Sequence, residues 1–212
     1  MVTTELTPQS KFLLKASLAG NFAEAMLLPV FAVFTERVGG SALDAGIGFG
    51  IFQITAGLFV VLIGSTDWFR RNVRLIVFFG FLLSWMGELS YIFVRSREEL
   101  FAAQAIIGMA IGMMNPAWDS LYCEGAAEQD SARNWSIWSG GVNLSQGIAA
   151  LAGGLIVSRF SFHTLFVIMG MINSFAVFYA ARILVLKPAR KHSGALLFSA
   201  AELAMQGAEP SA

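Results

Sequence analysis

The stretch "IGMMNPAWDS", Ile111–Ser120, admits two architectures. An Asn-Pro-Ala tripeptide can cap a short half-helix that dips into a membrane from a loop, or it can set one proline inside an unbroken span. The flanks decide between them. Apolar residues dominate from Leu100 to Tyr122, close to the roughly 20 residues that cross a bilayer's hydrocarbon core. Pro116 therefore reads as a kink in one continuous helix, its freed carbonyl satisfied by neighbouring groups.

The rest of the chain agrees with a membrane setting. Of 212 residues 56% are hydrophobic and 13% charged, and mean hydropathy is +0.66, whereas soluble domains carry about 25% charged residues. So much apolar surface needs lipid as its solvent, and lipid is the first expected partner. A net charge of zero argues against nucleic acid. Cys123 is the only cysteine, so neither an intrachain disulfide nor a cysteine metal site can form. No cofactor and no metal ion are expected. The first apolar segment contains Glu24 and lacks a small-residue cleavage site, so it reads as a retained span rather than a leader.

Six spans are expected: Phe12–Phe34, Ala45–Ile63, Val73–Val94, Leu100–Tyr122, Ser136–Val157 and Phe162–Leu186. The domain plan is a polar segment at 1–10, a transmembrane domain at 11–187 and a loosely ordered tail at 188–212, in which "GALLFSAAELAMQ" is weakly amphipathic. With the N-terminus inside, ten of the 14 Lys and Arg residues fall on the inner side and four on the outer. The bias puts both termini in the cytoplasm, with the chain in the plasma (cell inner) membrane. Trp68, Trp118, Trp135 and Trp138 then gather near the inner boundary, where indoles suit the interface.

A shift of 90 residues lays segments two and three over five and six. Gly50, Gly57, Gly64 and Gly80 meet Gly140, Gly147, Gly154 and Gly170, and Gln53 meets Asn143. Three spans separate the copies, so they are inverted in the membrane, as transporter repeats are. Aquaporins share that construction, but their tripeptides sit on half-helices between full spans. Here the only comparable piece, "KPAR" at Lys187–Arg190, follows the last span.

Between segments two and three stands "GSTDWFRRN", with Asp67, Arg70 and Arg71. The fourth segment reads "QAIIGMAIGMMNPA", with Gly108 and Gly112, and "CEGAAEQDSAR" follows, framed by Glu124 and Arg133. "AALAGG", Ala149–Gly154, lies in the fifth. In order and spacing this resembles the N-terminal six-helix half of a major facilitator superfamily transporter, over roughly residues 10–187. Trp68 stands where the family's inner-loop motif usually has a basic residue, and Gln104 where many members have an arginine. The implied fold is all-α, six transmembrane helices as two inverted three-helix repeats. The resemblance also implies an inner-loop latch joining Asp67, Arg70, Arg71, Glu124 and Arg133. Solvated loop charges are the alternative, since exposed pairs contribute only about 0–1 kcal/mol.

Glu24 lies about mid-bilayer in the first span, with Asn21 three positions earlier on the same helical face. An ionisable group there should face an interior cavity. In the family, helices one and four line that cavity, so the resemblance assigns Asn21, Glu24, Asn115 and Asp119 to substrate or proton binding. Glu24 can exchange a proton, attract a cationic solute, or sit neutral and hydrogen-bonded to a neighbouring helix. Glu88 belongs to a helix that is usually peripheral in the family, so a structural hydrogen bond is expected for it. The glycine faces Gly46–Gly50–Gly57 and Gly140–Gly147–Gly154 are expected to let helices two and five approach others closely. An enzyme is not expected, because no serine at depth has a histidine beside it and no paired-acid signature occurs.

Six helices are half of the usual twelve in this family. The resemblance therefore implies a partner, either a second copy in a homodimer or another six-helix half. The expected function is movement of a small solute of unknown identity by alternating access, with proton coupling through Glu24 as an option. The alternative is a six-helix subunit or fragment that does not transport.

Overall fold

The computed structural model describes residues 6–122 and 128–186. Four of the helix starts lie on a hydroxyl residue that accepts from a first-turn N–H. Thr7 opens α1 (Pro8–Leu27): its hydroxyl accepts from the Ser10 N–H at 3.1 Å, and Pro8 takes the first position, where no donor is needed. Pro29 then ends α1. It has no N–H for the preceding turn, and the chain passes through one 3-10 turn, Leu28–Val30, into a short α2 (Phe31–Arg37). The first span is thus broken beyond Glu24, where one uninterrupted helix was expected.

Gly39, at φ 86°, makes the left-handed turn before α3 (Ala42–Gly64). Ser41 and Asp44 cap that helix reciprocally, by N–H contacts of 2.8 and 3.3 Å. Thr66 opens α4 (Asp67–Ser90), so Asp67 occupies the first turn of its own helix, where the helix dipole favours an acid. The chain continues as α5 (Arg97–Tyr122), with Pro116 inside one continuous helix as the flanking residues required. Next come α6 (Glu128–Arg159) and α7 (Phe162–Val185), the latter capped by Ser161.

Six stretches among the described residues are long and apolar enough to cross a bilayer: α1 with α2, then α3, α4, α5, α6 and α7. No strand occurs among these residues. The packing has a pseudo-two-fold pattern. Helix α1 lies against α6 and α7, while α5 lies against α3 and α4. The first helix of each triplet therefore packs on the second and third helices of the other, and α4 meets α7 across the centre. This is the inverted-repeat, half-facilitator architecture.

Two of these seams rest on glycines, though not those the glycine periodicity singled out. Gly108 and Gly112 of α5 sit on the Phe52 and Ala56 carbonyls of α3, and Gly153 of α6 sits on the Met26 carbonyl of α1. Any side chain there would meet backbone. By contrast Gly46, Gly50 and Gly57 of α3 and Gly140, Gly147 and Gly154 of α6 have no neighbour within 4 Å. Those faces are open, which corrects the expectation that they form seams within this bundle.

The ends of the bundle are closed by side chains from distant parts of the sequence. At the end bearing Pro8 and Val185, Arg74 donates to the Leu186 carbonyl at 2.5 Å and to Gln9 Oε1 at 2.6 Å. Gln9 in turn donates to the Leu121 carbonyl at 3.1 Å. At the opposite end Phe34, Tyr91, Phe162 and Phe166 form an aromatic cluster, with Phe34 edge-on to Phe166 at 4.8 Å.

Candidate central cavity

A cavity of about 390 Å³ lies between α1 and α5, with residues of α4, α6 and α7 completing its lining. Its polar lining includes Asn21 and Glu24 from α1 and Asn115 and Asp119 from α5. All four residues singled out in the sequence are therefore brought together. The helical period explains this, since residues three or four apart share a face. Asn115 and Asp119 are exposed on the open side, Asn21 and Glu24 half-buried.

Asn21 is held rather than free. Its amide donates to the Ser17 carbonyl at 2.8 Å, and its Oδ1 accepts from Gln146 Nε2 at 3.2 Å. Trp138 Nε1 donates to Ser17 Oγ at 2.9 Å. These contacts join α1 to α6 behind the cavity lining. No side chain among the described residues hydrogen-bonds to Glu24, and no Lys, Arg or His lines the cavity.

Trp118, Trp135 and Trp138 form one wall of the cavity. Trp118 is buried, stacked on Tyr122 at 4.6 Å, and donates to the Leu13 carbonyl at 3.2 Å. Trp138 lies 5.3 Å from both Trp118 and Trp135. Trp68 alone of the four is largely exposed. Hydropathy cannot distinguish a tryptophan facing headgroups from one facing an internal cleft at the same depth.

The family-model comparison agrees with this geometry: the model described as Major Facilitator Superfamily matches residues 14–204. The chain belongs to the major facilitator superfamily. No curated protein matches it. Membership makes the chain an integral, multi-pass membrane protein of a transporter family, and gives the α1/α5 cleft its context.

Of the five loop charges expected to form a latch, four lie within the described residues. Asp67 pairs with Arg70 at 2.6 Å within one turn of α4, with the side chains 73% and 75% exposed. Arg71 Nε approaches the Asp67 carbonyl at 3.5 Å. Arg133 is exposed on α6, and Glu124 lies outside the described residues. The tail from Lys187 also lies outside them.

Sequence reasoning missed two residues. Glu88 of α4 is only 4% exposed and lines the same cavity, yet its Oε2 has no hydrogen-bond partner. The structural hydrogen bond expected for Glu88 is not made at that oxygen. Asn173 of α7, 1% exposed, lines the cavity too, and neither of its side-chain polar atoms is bonded. Mid-span polarity was the available signal in both cases.

Proposed function

We propose that this chain is one six-helix unit of a transporter that moves a small solute by alternating access, with Asn21, Glu24, Asn115 and Asp119 lining the solute path. The observation that carries this reading is the cavity itself: four polar residues from α1 and α5 converge at mid-depth, and the chain belongs to a transporter family. Glu24 is its central charged group, open to a proton or to a cationic solute. A fully bonded Glu24 would favour a subunit that does not transport; a cavity-lining Glu24 supports transport.

The path is completed by a second six-helix unit, either a further copy of this chain or a different one. The open glycine faces of α3 and α6 and the exposed Asn115 and Asp119 support this, because a polar face left to lipid is costly. Both termini lie in the cytoplasm of a cell whose plasma membrane holds the protein, as the distribution of basic residues supports. Asp67, Arg70, Arg71, Glu124 and Arg133 close the cytoplasmic side in one state of the cycle.

The test is accessibility combined with flux. In a Cys123→Ser background, Asn115→Cys should react with a membrane-impermeant maleimide from either side of a vesicle. Solute-evoked current on a supported membrane should disappear in Glu24→Gln. Labelling from one side only, with no current for any of a broad panel of solutes, would reject the reading. Native mass spectrometry from lipid then distinguishes a dimer of this chain from a unit awaiting a different partner.

A further inference from the structure

The central cavity does not end at Glu24. A second cavity of about 250 Å³ opens toward the end that carries α2, and Glu24 and Glu88 line both. The two carboxylates therefore stand at the neck between the cavities, one from α1 and one from α4. Beside them, on α7, Asn173 approaches the Glu88 carboxyl without closing a hydrogen bond of ordinary geometry. Its Oδ1 lies 3.7 Å from where a side chain at Gly20 would begin, so the glycine leaves it room. Glu88 and Asn173 are both more than nine-tenths buried, and each presents unbonded polar atoms to this space.

Buried polar atoms without partners are rare because each costs about 1–3 kcal/mol. A buried carboxylate beside a half-buried one, with no counter-ion among the described residues, is worse. Among the described residues no Lys, Arg or His lines either cavity, and the other ionisable groups that face them are Tyr91 and Asp119. What the neck lacks is a positive charge. The walls state what kind. Phe31, Phe49, Phe52 and Tyr91 line the second cavity, and Trp118 and Trp138 the first. Aromatic faces attract cations and also cover apolar surface. A bare proton would answer the charge and leave an aromatic chamber of this size without purpose.

We propose that Glu24, Glu88 and Asn173 form one acidic neck that binds an apolar organic cation, the carboxylates holding its charge and the aromatic walls its body. This deepens the transport reading and rests on it for the physiological role, but binding is measurable without transport. Glu88 thereby becomes a binding residue on a helix that the family resemblance puts at the periphery, and Asn173 joins it from α7.

The test is equilibrium binding to the full chain in nanodiscs of zwitterionic lipid. The probe is a methylated dimethylaminostyryl-pyridinium dye, followed by anisotropy, with its uncharged pyridine parent as the control ligand. The wild type should bind the cation and not the parent. Glu24→Gln and Glu88→Gln should each weaken binding at least tenfold, and Asn173→Leu severalfold. Glu88→Asp should recover most of the affinity, and the exposed Glu36→Gln should change nothing. Thermal unfolding of each variant guards against misfolding, and the Glu88→Asp recovery keeps the test decisive if Glu88→Gln is unstable. Unchanged affinity in a folded Glu88→Gln would overturn the neck while leaving transport through the α1/α5 cavity intact. Failure of the wild type to bind the cation, or equal binding of the parent, would overturn the cation assignment. Loss of binding together with one-sided labelling of Asn115→Cys would support the neck and reject alternating access.

Discussion

Replacing Gly153 with alanine tests the α1/α6 seam directly. The added methyl carbon would sit 2.7 Å from the Met26 carbonyl carbon and 2.8 Å from its Cα, and nearer still to the carbonyl oxygen. That is roughly 0.7 Å inside the 3.4 Å at which ordinary contact begins. The obstruction is backbone, so no side chain can rotate away and the helices must separate. Overpacking of this kind costs about 1–3 kcal/mol, here toward the upper end. Alanine recovers about 0.5–1 kcal/mol of helix propensity, leaving a net loss of about 2 kcal/mol. At about 2–4 °C per kcal/mol for a chain of this size, the melting temperature should fall by about 4–8 °C. Gly147→Ala, on the same helix but facing open space, should leave it unchanged or raise it by about 1–4 °C. Tryptophan fluorescence during heating in one detergent reads both. Equal melting of the two variants, or a Gly153→Ala protein as stable as wild type, would refute the close contact of α6 with the Met26 backbone.

Arg74→Ala removes donors to Leu186 and Gln9 at once and should cost about 2–3 kcal/mol in detergent unfolding, with Arg74→Lys recovering part of it. Ser41→Ala deletes half of the reciprocal cap of α3 and should cost about 1 kcal/mol in the same assay. Asp67→Asn breaks an exposed pair within one turn, so stability should change by less than about 1 kcal/mol. A fall in transport rate without a change in melting would mark Asp67 as a latch residue; no change in either would mark it as a solvated loop charge.

The spans were readable because each is a run of about twenty apolar residues, and a bilayer admits only closed backbone hydrogen bonding. The cavity quartet was readable for a related reason. Asn21 with Glu24, and Asn115 with Asp119, are polar pairs at helical spacing in otherwise apolar segments. The break beyond Glu24 was missed although Pro29 announces it, because hydropathy carries straight across a proline. The surroundings of Glu88 and Asn173 were not readable for a different reason. Polarity at depth shows that a side chain needs company, and not whether that company is a neighbouring helix or a solute.

Glycine spacing illustrates the same division. Gly50, Gly57 and Gly64 recur one repeat later as Gly140, Gly147 and Gly154, and that register revealed the inverted triplets. The seams nonetheless use Gly108, Gly112 and Gly153, while the periodic faces stay open. Membrane class, helix number and the identity of the buried charges follow from the chain alone, because the solvent acts on each segment separately. Which faces meet, which tryptophans turn inward, and the shared place of Glu24 and Glu88 in the lining of both cavities depend on rotation of each helix about its own axis. Lipid barely distinguishes those rotations, so packing between distant helices sets them.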